Sequence, residues 1–155
     1  MRNIYIIFTM VISGLLNSIH SQSLLLMERG LPKEIVVYAD DIELLTLFSV
    51  SPSMFNKQIQ SGHIAPICIK DTSVIKYIVQ TISTESRECK TAPIDVRGLL
   101  ILKYDDMQEI RIYYNMSYLF LKARYQIPVS FSYYLDSIRR NVEKEERPPQ
   151  SVIIE

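Results

Sequence analysis

The sequence predicts an α+β domain of two layers, a mainly antiparallel sheet with two main helices packed on one of its faces. Three stretches carry that expectation. Asp95 to Tyr104 and Glu109 to Tyr114 are rich in β-branched and aromatic residues and flank Asp105-Asp106-Met107-Gln108, a hairpin signature. Val74, Ile75, Ile78, Val79 and Ile82 recur at spacings of three and four, one apolar stripe on a helix capped at Asp71-Thr72. Phe131, Tyr134, Leu135, Ile138 and Val142 repeat that period over Ser130 to Val142, with Arg139 and Arg140 late in the segment, where positive charge suits the helix dipole.

The first element in chain order is a leader. Arg2 and the free amino terminus precede an apolar run from Ile4 to Leu16, which suits the core of a signal peptide and falls short of the roughly 20 residues that span a bilayer. Asn17, Ser18, His20, Ser21, Gln22 and Ser23 then bring polarity back. The expectation is a signal peptide over residues 1–21, removed after Ser21 or after Ser23, and a single exported domain over residues 22–145. The protein would be periplasmic or extracellular and would meet the membrane only in transit. The Ser-Gln junction resembles those of short exported bacterial proteins. The alternative is an uncleaved anchor, because Leu24 to Met27 extend the uncharged stretch up to Glu28.

Glu34 to Ala39 reads as a strand broken by Asp40-Asp41, and the run Ile42 to Phe48 leans to helix. Ser51-Pro52 starts a short helix that Gly62 stops, since Ser caps, Pro fits the first turn and Gly tolerates the left-handed exit. His63 to Ile69 is a strand, and Thr84 to Pro93 a polar loop. After the hairpin, Tyr118 to Tyr125 supplies a third antiparallel strand, with Leu119, Leu121 and Ala123 on one side and Phe120, Lys122 and Arg124 on the other. Pro128 ends it. Glu143 to Gln150 is a polar linker, and residues 146–155 form a flexible tail whose Ser-Val-Ile-Ile-Glu end could add a strand to a neighbouring sheet.

Composition limits the chemistry. Lys plus Arg and Asp plus Glu both number 17, so the chain lacks the positive field that draws proteins to nucleic acid, and no nucleic-acid partner is expected. Beyond the leader the glycines Gly30, Gly62 and Gly98 stand isolated, which removes phosphate-cradling loops. His63 is the one histidine outside the leader, so histidine-dependent triads and zinc sites depend on a residue that reads as a turn histidine. Asp40-Asp41 and Asp105-Asp106 are the paired carboxylates, read first as turn chemistry. No catalytic residue, cofactor or metal is expected. Asn115-Met116-Ser117 matches a glycosylation sequon and carries no weight by itself.

Cys68 and Cys89 are the candidate disulfide, closing a loop worth roughly 3 kcal/mol in the chain-entropy model. The alternative leaves Cys68 as a small buried hydrophobe in Ile-Ala-Pro-Ile-Cys-Ile and Cys89 free in a polar loop. The C-terminal half interleaves aromatics with cations, and Arg111, Tyr113, Tyr118, Phe120, Lys122 and Arg124 are the candidate binding residues. A non-enzymatic exported protein that binds another protein through this Tyr/Arg sheet face, as an inhibitor, immunity-like protein or accessory subunit, is the leading expectation. A small periplasmic hydrolase using the Asp pairs or His63 is the alternative.

Overall fold

A computed structural model of the chain describes Leu26, residues 29–41 and residues 48–146. The expected leader, the helix-leaning run from Ile42 and the Ser151 to Glu155 end lie outside the described residues. The fold is α+β: seven antiparallel strands form one sheet, and three helices are described with it. In chain order these are β1 (Glu34–Ala39), α1 (Pro52–Gln60), β2 (Ile67–Ile69), α2 (Thr72–Glu85), β3 (Arg87–Cys89), β4 (Gly98–Lys103), β5 (Glu109–Tyr114), β6 (Tyr118–Phe120), β7 (Arg124–Gln126) and α3 (Val129–Glu146). The strand order across the sheet is β2-β1-β4-β5-β6-β7-β3.

The helices begin where local chemistry dictates. Ser51 accepts a hydrogen bond from the Met54 N–H at 3.3 Å and Pro52 occupies the first turn of α1. At its far end the Gly62 N–H bonds the Ile59 carbonyl and the His63 N–H the Gln58 carbonyl, with Gly62 at φ 77, a Schellman closure that only glycine makes without strain. This closure consumes His63 and the residues around it, so β2 starts only after Pro66 and not at His63 as expected. Asp71 caps α2, accepting from the Ser73 and Val74 N–H groups at 2.8 and 3.1 Å. Helix α3 runs on through Glu146, so half of the expected linker is helical.

Side-chain alternation divides the core in two. One cluster gathers Ile35, Val37, Leu100, Leu102, Ile112, Tyr114 and Leu119 from the strands with Ile75, Ile78 and Ile82 of α2 and Phe131 and Leu135 of α3. Leu26 is buried in the same cluster. The second cluster joins Val36, Leu99 and Ile101, which point the other way, to Phe55 of α1, Val50, Ile64 and Val96. The sheet therefore carries the short helix α1 on a face that the two-layer expectation leaves bare.

The β4–β5 hairpin pairs from Gly98↔Tyr114 to Lys103↔Glu109, and the Tyr104 N–H closes its turn on the Gln108 carbonyl at 3.0 Å. Met107 takes the left-handed φ of 59 in this turn. Strand β4 begins at Gly98 and not at Asp95, because Asp95 and Val96 bond Val50: the Val50 N–H donates to the Asp95 carboxylate and the Val96 N–H to the Val50 carbonyl. Two more expectations fail. The stretch Tyr118 to Tyr125 is two short strands, folded back by a turn in which the Leu121 N–H bonds the Ala123 carbonyl at 3.0 Å. Arg87–Cys89, expected in a loop, is an outer strand paired with β7.

Candidate functional site

The register lines up one row of side chains across six strands. Tyr38 lies opposite Leu99, Leu99 opposite Tyr113, Tyr113 opposite Phe120, Phe120 opposite Arg124, and Arg124 opposite Cys89. All stand on the α1 side of the sheet. At the Tyr38 end the row is roofed by α1, whose Asn56 amide donates to the Tyr113 hydroxyl at 2.9 Å. Beyond Tyr113 the helix stops covering it, and Phe120, Arg124 and Cys89 floor an open groove of about 460 Å³. Pro52, at the start of α1, bounds one wall, and the 90–97 connection bounds another through Lys90 and Ile94.

Four of the six candidate binding residues belong to this row or its rim. Phe120 and Arg124 lie in the floor, Lys122 stands exposed on the β6–β7 turn, and Tyr113 marks the edge of the helix roof. Arg124 is also a brace: its guanidinium Nη1 donates to the Ala92 carbonyl at 3.2 Å and so ties the sheet to the wall of the groove. Arg111 points from β5 to the same face but is exposed near Glu109 at 3.6 Å, outside the groove. Extending the Tyr113↔Phe120 register by two would set Arg111 beside Lys122, had β6 continued; the turn at Leu121 to Ala123 separates them. Tyr118, half-buried, pairs with Gln126 in the next row.

Three groove residues escaped sequence reasoning. Lys90 sits in the stretch Thr84 to Pro93 that reads as a polar loop, Ile94 directly follows it, and Leu121 reads as part of one continuous strand, on the side opposite Phe120 and Arg124. Ile94 and Leu121 are 43% and 46% exposed, and both line the groove. The legible signal was Arg-Glu-Cys directly after helix α2, an alternating triplet too short to stand out.

The disulfide expectation is corrected by topology. Cys68 is exposed on β2 and Cys89 partly exposed on β3, and both are free thiols. These strands are the two outer edges of a seven-stranded sheet, six spacings of roughly 4.8 Å apart, whereas a bridge needs Cα atoms within about 7 Å. Cys68 is not the buried hydrophobe of the alternative either.

The carboxylate pairs stand apart. Asp40 follows Ala39, opposite Gly98, while Asp105 lies past Lys103, opposite Glu34, which separates them by the length of β4, roughly 20 Å. Each serves its own turn: Asp40 accepts from the Asp41 N–H and Asp106 from the Gln108 N–H. His63 sits exposed beside the Ser61 hydroxyl at the Schellman closure. Among the described residues no three His, Cys, Asp or Glu side chains gather as they would around a metal ion. Asn115 of the sequon is buried at 8% exposure and its carboxamide oxygen accepts from the Ser117 and Tyr118 N–H groups, so it is a turn residue here.

Two polar groups are buried on the other side of the sheet. Asp136 of α3 is fully buried and paired with Arg139 at 2.9 Å and with Arg140. Near it, burial and the Asp136 charge hold the Tyr114 phenol well above its ordinary range, so it stays protonated. Both ion pairs of Asp136 are made within α3 itself. No described helix is long and apolar enough to cross a membrane. The chain matches no family model, no curated protein and no solved structure with which it was compared.

Proposed function

We propose that this chain is an exported, non-enzymatic binding protein, and that it takes a partner protein on the open end of its sheet, at Phe120, Arg124 and Cys89. One observation carries the reading: the Tyr38-to-Cys89 row is covered by α1 at one end and left open at the other, with Ile94 and Leu121 exposed beside it. A cationic and aromatic floor flanked by aliphatic side chains is the composition of a protein-binding hot spot. Arg124 is already braced by the Ala92 carbonyl, so the floor is held in place before a partner arrives. The compartment rests on the leader: residues 1–21 would be removed on export and the domain released to the periplasm or the extracellular space.

The experiment is site-specific photo-crosslinking in the producing cell. A crosslinker at Leu121 is expected to give one discrete adduct that the same group at Lys76, exposed on α2, does not give. Equal adducts from both positions, or adducts from Lys76 alone, would overturn the assignment of this face. Export is checked separately, by sequencing the amino terminus of the released protein; a terminus still at Met1 refutes the cleavage.

A further inference from the structure

The groove carries an excess of positive side chains. Lys90, Lys122 and Arg124 line it against one acid, Glu88. Glu88 lies opposite Tyr125 in the pairing of β3 with β7, and its charge helps to raise the Tyr125 phenol. On a chain whose formal charge is zero this is a local excess of cations, and it selects a partner of opposite sign. The aliphatic rim at Ile94 and Leu121 asks for an apolar side chain as well. Strand β3 is the last strand of the sheet, so the groove ends beside an edge that can accept an extended chain.

Building on the reading of this face as a protein-binding surface, we infer that the partner enters the groove as an extended acidic segment carrying one apolar side chain. Its carboxylates pair with Lys90 and Lys122, and its apolar group rests on Phe120 between Ile94 and Leu121. Arg124 is held by the Ala92 carbonyl and contributes charge from a fixed position. A nucleic acid or sulfated glycan would satisfy the lysines but leave the aliphatic rim unmatched.

The test uses the mature chain and a short fluorescent peptide of Glu and Gly with one central Leu, followed by anisotropy. The peptide is expected to bind, to weaken about tenfold or more with Lys90→Glu plus Lys122→Glu, and to weaken as salt rises from about 50 to 300 mM. Lys76→Glu is expected to change nothing, and circular dichroism checks that each variant is folded. Equal binding of the same peptide with Gln in place of Glu overturns the inference, as does indifference to the double charge reversal. Displacement by a heparin hexasaccharide at equal or lower concentration also overturns it, in favour of a general polyanion site. If the peptide fails while Leu121 still crosslinks a native partner, the acidic-segment inference falls and the binding face stands; if both fail, both fall.

Discussion

Gly98 shows how a single residue can set the spacing of two strands. A Cβ built there would come within 2.1 Å of the Tyr114 ring, because the phenol of the opposed residue lies directly over the Gly98 backbone. The ring is fully buried and cannot swing into solvent. Gly98→Ala is therefore expected to destabilise the domain by about 2–3 kcal/mol, read from urea denaturation midpoints, with the cost coming from overpacking. A change within about 0.5 kcal/mol would mean that the ring is not held where described. The sequence shows an isolated glycine at this position but nothing of what lies above it, since the register that pairs it with Tyr114 is a property of the hairpin as a whole. Glu34 illustrates the same limit. It reads as the first residue of a strand, and its bond to Lys103 at 3.0 Å, which holds its carboxyl below the ordinary range, follows from strand pairing.

At the scale of elements, local signals explain what could be read. Helix α1 was legible from Ser-Pro and Gly, α2 from an aspartate and a stripe, and the β4–β5 hairpin from two β-rich runs around a polar turn. Each signal acts within a few residues. The β6–β7 bend was not legible, because Leu121-Lys122-Ala123 continues the alternation of a strand and holds no glycine or proline to mark a turn. Strand β3 was missed for the complementary reason: three residues, two of them charged, form a strand only because β7 is beside them.

The cap of α2 makes a pH prediction at this scale. Asp71 is held below the ordinary carboxylate range, first by the Ser73 hydroxyl and then by the Val74 and Ser73 N–H groups. A carboxyl depressed on folding stabilises the folded state fully above its unfolded value of about 4 and loses that contribution as pH falls through the folded value. Asp71→Asn keeps a capping oxygen but has no proton to take up. The stability advantage of the natural chain over Asp71→Asn is thus expected to shrink between about pH 6 and pH 3. Thermal melts of the two proteins that run parallel across that range would contradict this account.

Considered as a whole, the molecule is a sheet with unequal cover. The α+β class and most element positions could be read because patterning decides which residues face inward. The candidate site was only half legible: the alternation of Phe120 and Arg124 placed them on one face, but Cys89, Lys90 and Ile94 reach the same groove through a strand order that is not sequential. Leu26 ties the beginning of the described chain to the main core, where it is 6% exposed. Processing at either expected position keeps this residue, and Leu26→Ala is expected to cost about 2–3 kcal/mol in the mature protein. A chain beginning after Met27 is expected to lose at least as much stability; no loss in either case would detach Leu26 from the core.

The two thiols sit on opposite margins of the sheet and cannot reach each other, which makes each molecule a bifunctional monomer toward oxidants. Concentrated protein treated with a mild oxidant is expected to run as a ladder of linear multimers on a non-reducing gel, collapsing to one band with reductant. Cys68→Ser leaves a single reactive end, so its oxidation should stop at pairs. In an oxidising compartment such a chain stays unlinked only while dilution, or an occupant over Cys89, keeps its ends from meeting those of its neighbours.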